Sequence, residues 1–127
     1  MPDLTPLLWP RAIAIVGASD NKDIIRGRLL HILQLRNYPG KIFPVTPSRA
    51  EVQGLTAYPS VAAIPEPVDL AVVVIPAASV TEVLNECGQR GIKAAIVISS
   101  GFGEEKGDAA RVRQEELQRV AETYGMA

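Results

Sequence analysis

Long apolar runs are missing from this sequence. No stretch approaches the roughly 20 residues that a helix needs to cross a bilayer, so a helical membrane span is not expected. Cysteine is almost missing: Cys87 stands alone, which rules out an internal disulfide and fits a reducing cytoplasm. One histidine and one cysteine cannot make a zinc cluster. The opening MPDLTPLLWP lacks a basic n-region and carries Pro6 and Pro10 within its apolar part, so a signal peptide is not expected and a cytoplasmic location is. Two fingerprints are also missing. No G-x-G-x-x-G follows an apolar run, and no Gly-Lys-Ser/Thr closes a P-loop.

What remains suits one folded domain over residues 1–127. The chain has 127 residues, 47% of them hydrophobic, enough for a core. Its net charge of −1 hides an asymmetry. Residues 1–50 hold seven basic side chains (Arg11, Lys22, Arg26, Arg28, Arg36, Lys41, Arg49) against three acidic ones; the remainder holds six basic and eleven acidic. A positive first half in a near-neutral chain suggests a small anionic ligand there, not a nucleic acid. Chance variation of a solvated surface would give the same count.

The chain is organised around Arg11 to Gly27. Ala12–Val16 is short and rich in β-branched residues, as a strand requires. Gly17 follows, then the polar Ser19–Asp23, then a helical pattern from about Ile25 to Arg36. Strand, glycine turn and helix form the first unit of a nucleotide-binding α/β sheet. The glycine admits a ligand to the backbone, and the helix start offers N–H groups and a positive dipole end to phosphate. A strand-to-helix turn with no ligand would use the same residues.

Further on, Ile25, Leu29, Ile32 and Leu33 have the spacing of a buried helix face, and Trp9 is expected to cover one end of the core. Arg26 and Arg28 lie in the first helical turn, where basic residues are unfavourable without a nearby anion; both could also simply face water. His31, mid-helix, reads as a surface or structural residue. Lys41–Val45 is a second strand. After it, Thr46-Pro47-Ser48-Arg49 stands where an NAD site would place a carboxylate, and Ser48 with Arg49 suits a ribose phosphate. Gln53–Pro59 reads as a turn and a short strand, and Asp69–Ile75 as a strand covered on both faces. Pro76-Ala77-Ala78 reads as a loop. Ser79-x-x-Glu82 has the capping-box pattern before a helix that buries Val80, Val83, Leu84 and Cys87. The last strand, Lys93–Ile98, leads into Ser99-Ser100-Gly101-Phe102-Gly103 at the carboxyl edge, where open α/β sheets place ligands. A final helix starts near Asp108 and buries Leu117, Val120, Ala121 and Tyr124. The alternation predicts a Rossmann-like three-layer α/β/α domain with a parallel, roughly five-stranded sheet, centred on Ala12–Val16 and Leu70–Ile75.

These residues resemble a known family. Pro10-Arg11-x-Ile13-Ala14-x-Val16-Gly17-Ala18-Ser19, Gly27-Arg28 and Tyr38-Pro39-Gly40-Lys41-Ile42-Phe43-Pro44-Val45-x-Pro47 look like the CoA-binding domain of NDP-forming acyl-CoA synthetases. Gly54-Leu55, Tyr58-Pro59-Ser60-Val61, Val68-Asp69-Leu70-Ala71-Val72, Ile75-Pro76-Ala77 and Ser99-x-Gly101-Phe102 extend the likeness along the chain. That family includes ADP-forming acetate–CoA ligases and trans-feruloyl-CoA synthases and is related to the succinyl-CoA synthetase alpha subunit. The resemblance implies coenzyme A as the cofactor. It implies that Gly17, Ala18 and Ser19, with Arg26, Gly27 and Arg28, hold the CoA phosphates. It implies that Thr46, Pro47, Ser48 and Arg49 meet the 3′-phosphate or adenosine. It implies that Ile75, Pro76 and Ala77, with Ser99, Ser100, Gly101 and Phe102, line the pantetheine path. The family often has Asn-Pro-Lys where this chain has Thr46-Pro47-Ser48-Arg49. The complete family reaction joins carboxylate, CoA and ATP to give acyl-CoA, ADP and phosphate, through a phosphohistidine in a later domain. The chain is therefore expected to be an N-terminal part of a longer synthetase, inactive alone and partnered by the remaining domains in the same or another chain. CoA or acyl-CoA is the expected ligand, with no nucleic acid, membrane or metal, and a homo-oligomer is left open. A stand-alone CoA-binding regulatory protein and an NADP-binding oxidoreductase domain are the alternatives.

Overall fold

The computed structural model describes residues 5–21, 23–98 and 108–126. A four-stranded parallel sheet forms its centre. The strands are β1 (Ala12–Val16), β2 (Lys41–Val45), β5 (Leu70–Val73) and β6 (Ala94–Val97), in the order β2-β1-β5-β6. β1 and β5 are central, as their apolar runs require. β1 is buried at all five positions, and Ala14 and Ile15 have no exposed surface. Register is set by rows such as Ile15 beside Pro44 on one side and Val72 on the other.

The expected fifth strand is reduced to one contact. Residues around Gln53–Pro59 form instead a two-residue antiparallel hairpin, β3 (Glu51–Val52) and β4 (Leu55–Thr56). After it Tyr58 makes a single parallel bridge to Val45. The hairpin turn at Gln53-Gly54 reverses the chain before it can run along β2.

Helices cover both faces. α2 (Ile25–Leu35) lies on one face and buries Leu30 completely beside Ile13 and Ile15. α3 (Ala77–Gln89) and α4 (Asp108–Tyr124) pack together on the other, with Val80, Leu84, Cys87 and Val120 in the core. The buried positions of α3 follow the expected spacing. Those of α2 follow it only in part: Leu33 packs on the core beside Leu30 and Leu29 is half-buried, but Ile25 and Ile32 are 49% and 43% exposed, and Gly27 is buried against the loop after β1. An apolar pattern that runs almost all round a helix does not fix which side turns inward; the glycine, which lets the chain pack closest, decides it.

Other local expectations are corrected. Trp9 is 78% exposed beyond the short α1 (Thr5–Leu8) and covers no core. α3 begins at Ala77, two residues before Ser79, with Pro76 as N-cap and no side-chain cap. Because the helix starts ahead of Ser79, the capping-box pattern is not used. Gly91 ends α3 as expected, with Ile92 N–H donating to Cys87 O at 3.0 Å. Asn37, at φ +54°, ends α2 in the same way.

The amino edge of the sheet is clamped by polar contacts. Arg11 N–H donates to Asp69 Oδ2 at 2.7 Å, and the Tyr38 hydroxyl donates to Pro10 O at 2.5 Å. Burial, then the Asp69 charge, pushes the Tyr38 hydroxyl pKa up. Asp69, part of the resembling pattern, thus stands at the edge opposite the predicted site.

Candidate functional site

In the order β2-β1-β5-β6, chain connections diverge between β1 and β5. Their carboxyl ends open a crevice at that switch point, the ligand position in open α/β sheets. Gly17 ends β1 with φ +91°. A Cβ there would lie 2.2 Å from Val74 O and 3.0 Å from Ile75 Cγ2. Only glycine therefore lets the loops after β1 and β5 touch. Gly17 N–H donates to Val45 O at 2.8 Å, tying in the end of β2. Among the described residues, the next three backbone N–H groups, of Ala18, Ser19 and Asp20, have no hydrogen-bond partner. Three such donors in sequence beside a glycine fit an anion such as a diphosphate.

The loop then folds back on itself. Asn21 N–H donates to Ser19 Oγ at 3.1 Å, and Asp23 N–H to Asn21 Oδ1 at 3.0 Å. It presses on the first turn of α2 at Gly27, where a Cβ would lie 2.0 Å from Asn21 O and 2.8 Å from Ser19 O.

A cavity of about 250 Å³ opens beside this loop. Val16, Val45, Pro47, Ile75, Pro76 and Val83 give it apolar walls, and Ser60, Ser79 and Glu86 add polar groups. Thr46, 7% exposed, sits at its margin with its hydroxyl 3.1 Å from Ser48 Oγ. A larger hollow of about 470 Å³ lies against the start of β2 and the end of α2, near Tyr38 and Lys41, and contains none of the predicted site residues. The smaller one stands at the crevice.

The structure thus brings Gly17, Thr46, Pro47, Ile75 and Pro76 together, with Ala18, Ser19 and Gly27 in the adjoining loop. Ala77 is the first residue of α3 and Arg26 lies in the first turn of α2. Arg28 is exposed, its Nη2 3.4 Å from Asp23 O. Arg49 is not a solitary cation: its Nη1 lies 3.1 Å from Asp20 Oδ2. Ser99, Ser100, Gly101 and Phe102 lie outside the described residues.

Sequence reasoning missed Gln53 and Asp20. Gln53 N–H donates to Asp20 Oδ1 at 2.7 Å. Gln53 Nε2 donates to Ser19 O at 2.9 Å and Gly27 O at 2.8 Å. One side chain thereby staples the loop after β1 to α2, and its Oε1 is buried without a partner. Gln53 holds φ +49°, a conformation that strains a residue with a Cβ. A glutamine directly before Gly54 between apolar residues was a hairpin signal; which loop it would reach was not readable. Cys87 is buried in the core, and burial first, then Glu86, pushes its pKa up to about 12. His31 sits mid-helix in α2, outside the carboxyl-edge loops.

Among the described residues no helix is long and apolar enough to cross a membrane, and no group of three His, Cys, Asp or Glu could hold a metal ion. A family model described as "CoA binding domain" matches residues 11–127. The chain is 37% identical over 126 residues to an ADP-forming acetate–CoA ligase II of Archaeoglobus fulgidus, covering 99% of this chain and 19% of the relative. It is 41% identical over 118 residues to the alpha subunit of an ADP-forming acetate–CoA ligase II of Pyrococcus furiosus, covering 92% of this chain and 25% of that one. Among solved structures, the dinucleotide-forming acetyl-coenzyme A synthetase 1 of Ca. Korarchaeum cryptofilum, in complex with phosphate and ADP, superposes with a TM-score of 0.89 at 41% identity. That match covers 99% of this chain and 26% of the other. The chain thus spans about a fifth to a quarter of the relatives it matches.

Proposed function

Since the chain belongs to the CoA-binding domain family, we propose that it seats coenzyme A across the carboxyl edge of its sheet, as the CoA-binding module of an NDP-forming acyl-CoA synthetase. The observation that carries this is the crevice between β1 and β5. Unpartnered N–H groups of Ala18, Ser19 and Asp20 sit beside an apolar cavity about 250 Å³ in volume. CoA has that polarity: a diphosphate to meet the donors and a pantetheine arm to run along Ile75 and Pro76. The 3′-phosphate falls to Thr46–Arg49, where the Arg49 guanidinium, paired with the Asp20 carboxylate, would exchange that partner for the phosphate. Ser99–Phe102, outside the described residues, are assigned to the arm's path by the sequence resemblance alone. The parent synthetase would convert carboxylate, CoA and ATP to acyl-CoA, ADP and phosphate; this domain supplies binding and orientation of the thiol.

Calorimetric titration with CoA, dephospho-CoA, NADP and NAD tests the reading. A charge-assisted contact contributes roughly 1.5–3 kcal/mol, or about ten- to a hundredfold in affinity. CoA is therefore expected to bind more tightly than dephospho-CoA by about that factor, and NAD poorly. Tighter binding of NADP than of CoA would overturn the proposal.

A further inference from the structure

α2 is apolar on the side that faces away from the sheet. Leu30 has no exposed surface, whereas Ile25, Ile32 and Leu35 are 49%, 43% and 66% exposed. Spaced by seven and three residues, these three share one face, and at about 100° per residue Ile32 lies roughly 200° round from Leu30. A helix at the surface of a finished assembly carries polar residues there. The flanks are basic. Arg28 and Arg36 are exposed on either side of Ile32, and α2 contains no acidic residue.

We propose that this outer face of α2 is the seat of a further domain of the same synthetase polypeptide, through a surface apolar at its centre and acidic at its rim. The inference rests on the synthetase reading above. Two observations select this occupant. The first is length: the chain spans only about a fifth to a quarter of the relatives it matches, so in them most of the polypeptide lies outside this domain. The second is charge. Two-fold packing of α2 on α2 centred at Ile32 would bring Arg28 and Arg36 of the two copies face to face, and like charges disfavour that pairing. An acidic rim is complementary in charge to both basic flanks.

The test places a thiol on the stripe. Ile32→Cys and, separately, Leu35→Cys are made in the 127-residue chain and in the full-length polypeptide encoded by the same reading frame. Maleimide labelling is followed by peptide mass mapping. Cys87, buried with its pKa at about 12, gives little background. The expected result is rapid labelling in the 127-residue chain at every protein concentration, and labelling slowed at least about tenfold in the full-length polypeptide. Equal rates in both would overturn the proposal. So would a reading frame that ends at Ala127, or protection in the 127-residue chain that grows with its concentration, the mark of a second copy. Neither position belongs to the proposed CoA site, so CoA titration of the same variants stays at the wild-type value. Failure of CoA to bind any of them would sink the CoA reading while leaving the labelling result standing.

Discussion

Replacing Gly27 by alanine sets two physical effects against each other. Judged from the helix alone, Gly27→Ala should stabilise the chain, since alanine is better than glycine in a helix interior by about 1 kcal/mol. The structure reverses the sign. The new Cβ would stand 2.0 Å from Asn21 O, 2.5 Å from Asn21 C and 2.8 Å from Ser19 O. All three are backbone atoms, so no side-chain rotation relieves the clash. The loop must retreat until the contacts reach about 3.4 Å, the start of ordinary packing. That retreat loosens the Gln53 contacts to Ser19 O and Gly27 O. Overpacking of this kind costs about 1–3 kcal/mol, and weakening two hydrogen bonds adds roughly 1–2 kcal/mol. The sum exceeds the helix gain, so a net loss of about 1–4 kcal/mol and a fall in Tm of several degrees are expected. The displaced loop also carries the free N–H groups of Ala18–Asp20. CoA affinity should therefore fall by about tenfold or more. Thermal unfolding and calorimetric titration of the two proteins decide. A variant with raised Tm and unchanged CoA affinity would refute the idea that the loop packs on the first turn of α2.

Arg49→Ala should weaken CoA about tenfold and leave dephospho-CoA nearly unchanged; equal losses for both ligands would remove Arg49 as the phosphate reader. Asp20→Asn, which keeps an oxygen for the Gln53 N–H but releases the guanidinium, should tighten CoA modestly, and titration at two salt concentrations separates charge from geometry. The chain alone should form no acyl-CoA from carboxylate, CoA and ATP, because its one histidine, His31, lies mid-helix away from the crevice; thioester detection checks this, and robust turnover by pure protein would refute the reading of the chain as an inactive part of a longer synthetase. The Cys87 thiol, raised from 9.0 to about 12, binds its proton more tightly in the folded chain. Its stability contribution is therefore full below pH 9 and is lost as pH climbs towards 12. Denaturant midpoints at pH 8 and pH 10.5 should fall more for the wild type than for Cys87→Ala, which also removes the shared Tyr38 contribution from the comparison.

Short-range pattern determined much of this protein on its own. The runs Ala12–Val16 and Leu70–Val73 had to be central strands, because continuous apolar stretches need cover on both faces. The face of α3 through Val80, Leu84 and Cys87 followed from helical spacing, since polar residues separate it clearly from the rest. Gly17 at the end of β1 pointed to the crevice before any contact was known. Residue pattern over most of the chain also identified the family. Only the tertiary structure decided the rest. Which side of α2 turns inward depended on Gly27 meeting a loop, because isoleucine and leucine occur almost all round that helix. The pairing of Arg49 with Asp20, 3.1 Å apart across 29 residues of sequence, was set only by the fold. Gln53 joins Ser19 and Gly27 through hydrogen bonds spanning 34 and 26 residues. No local spacing encodes such contacts: they exist only after β1, β2 and the hairpin have been brought side by side, and the loop that offers its N–H groups takes its shape from them.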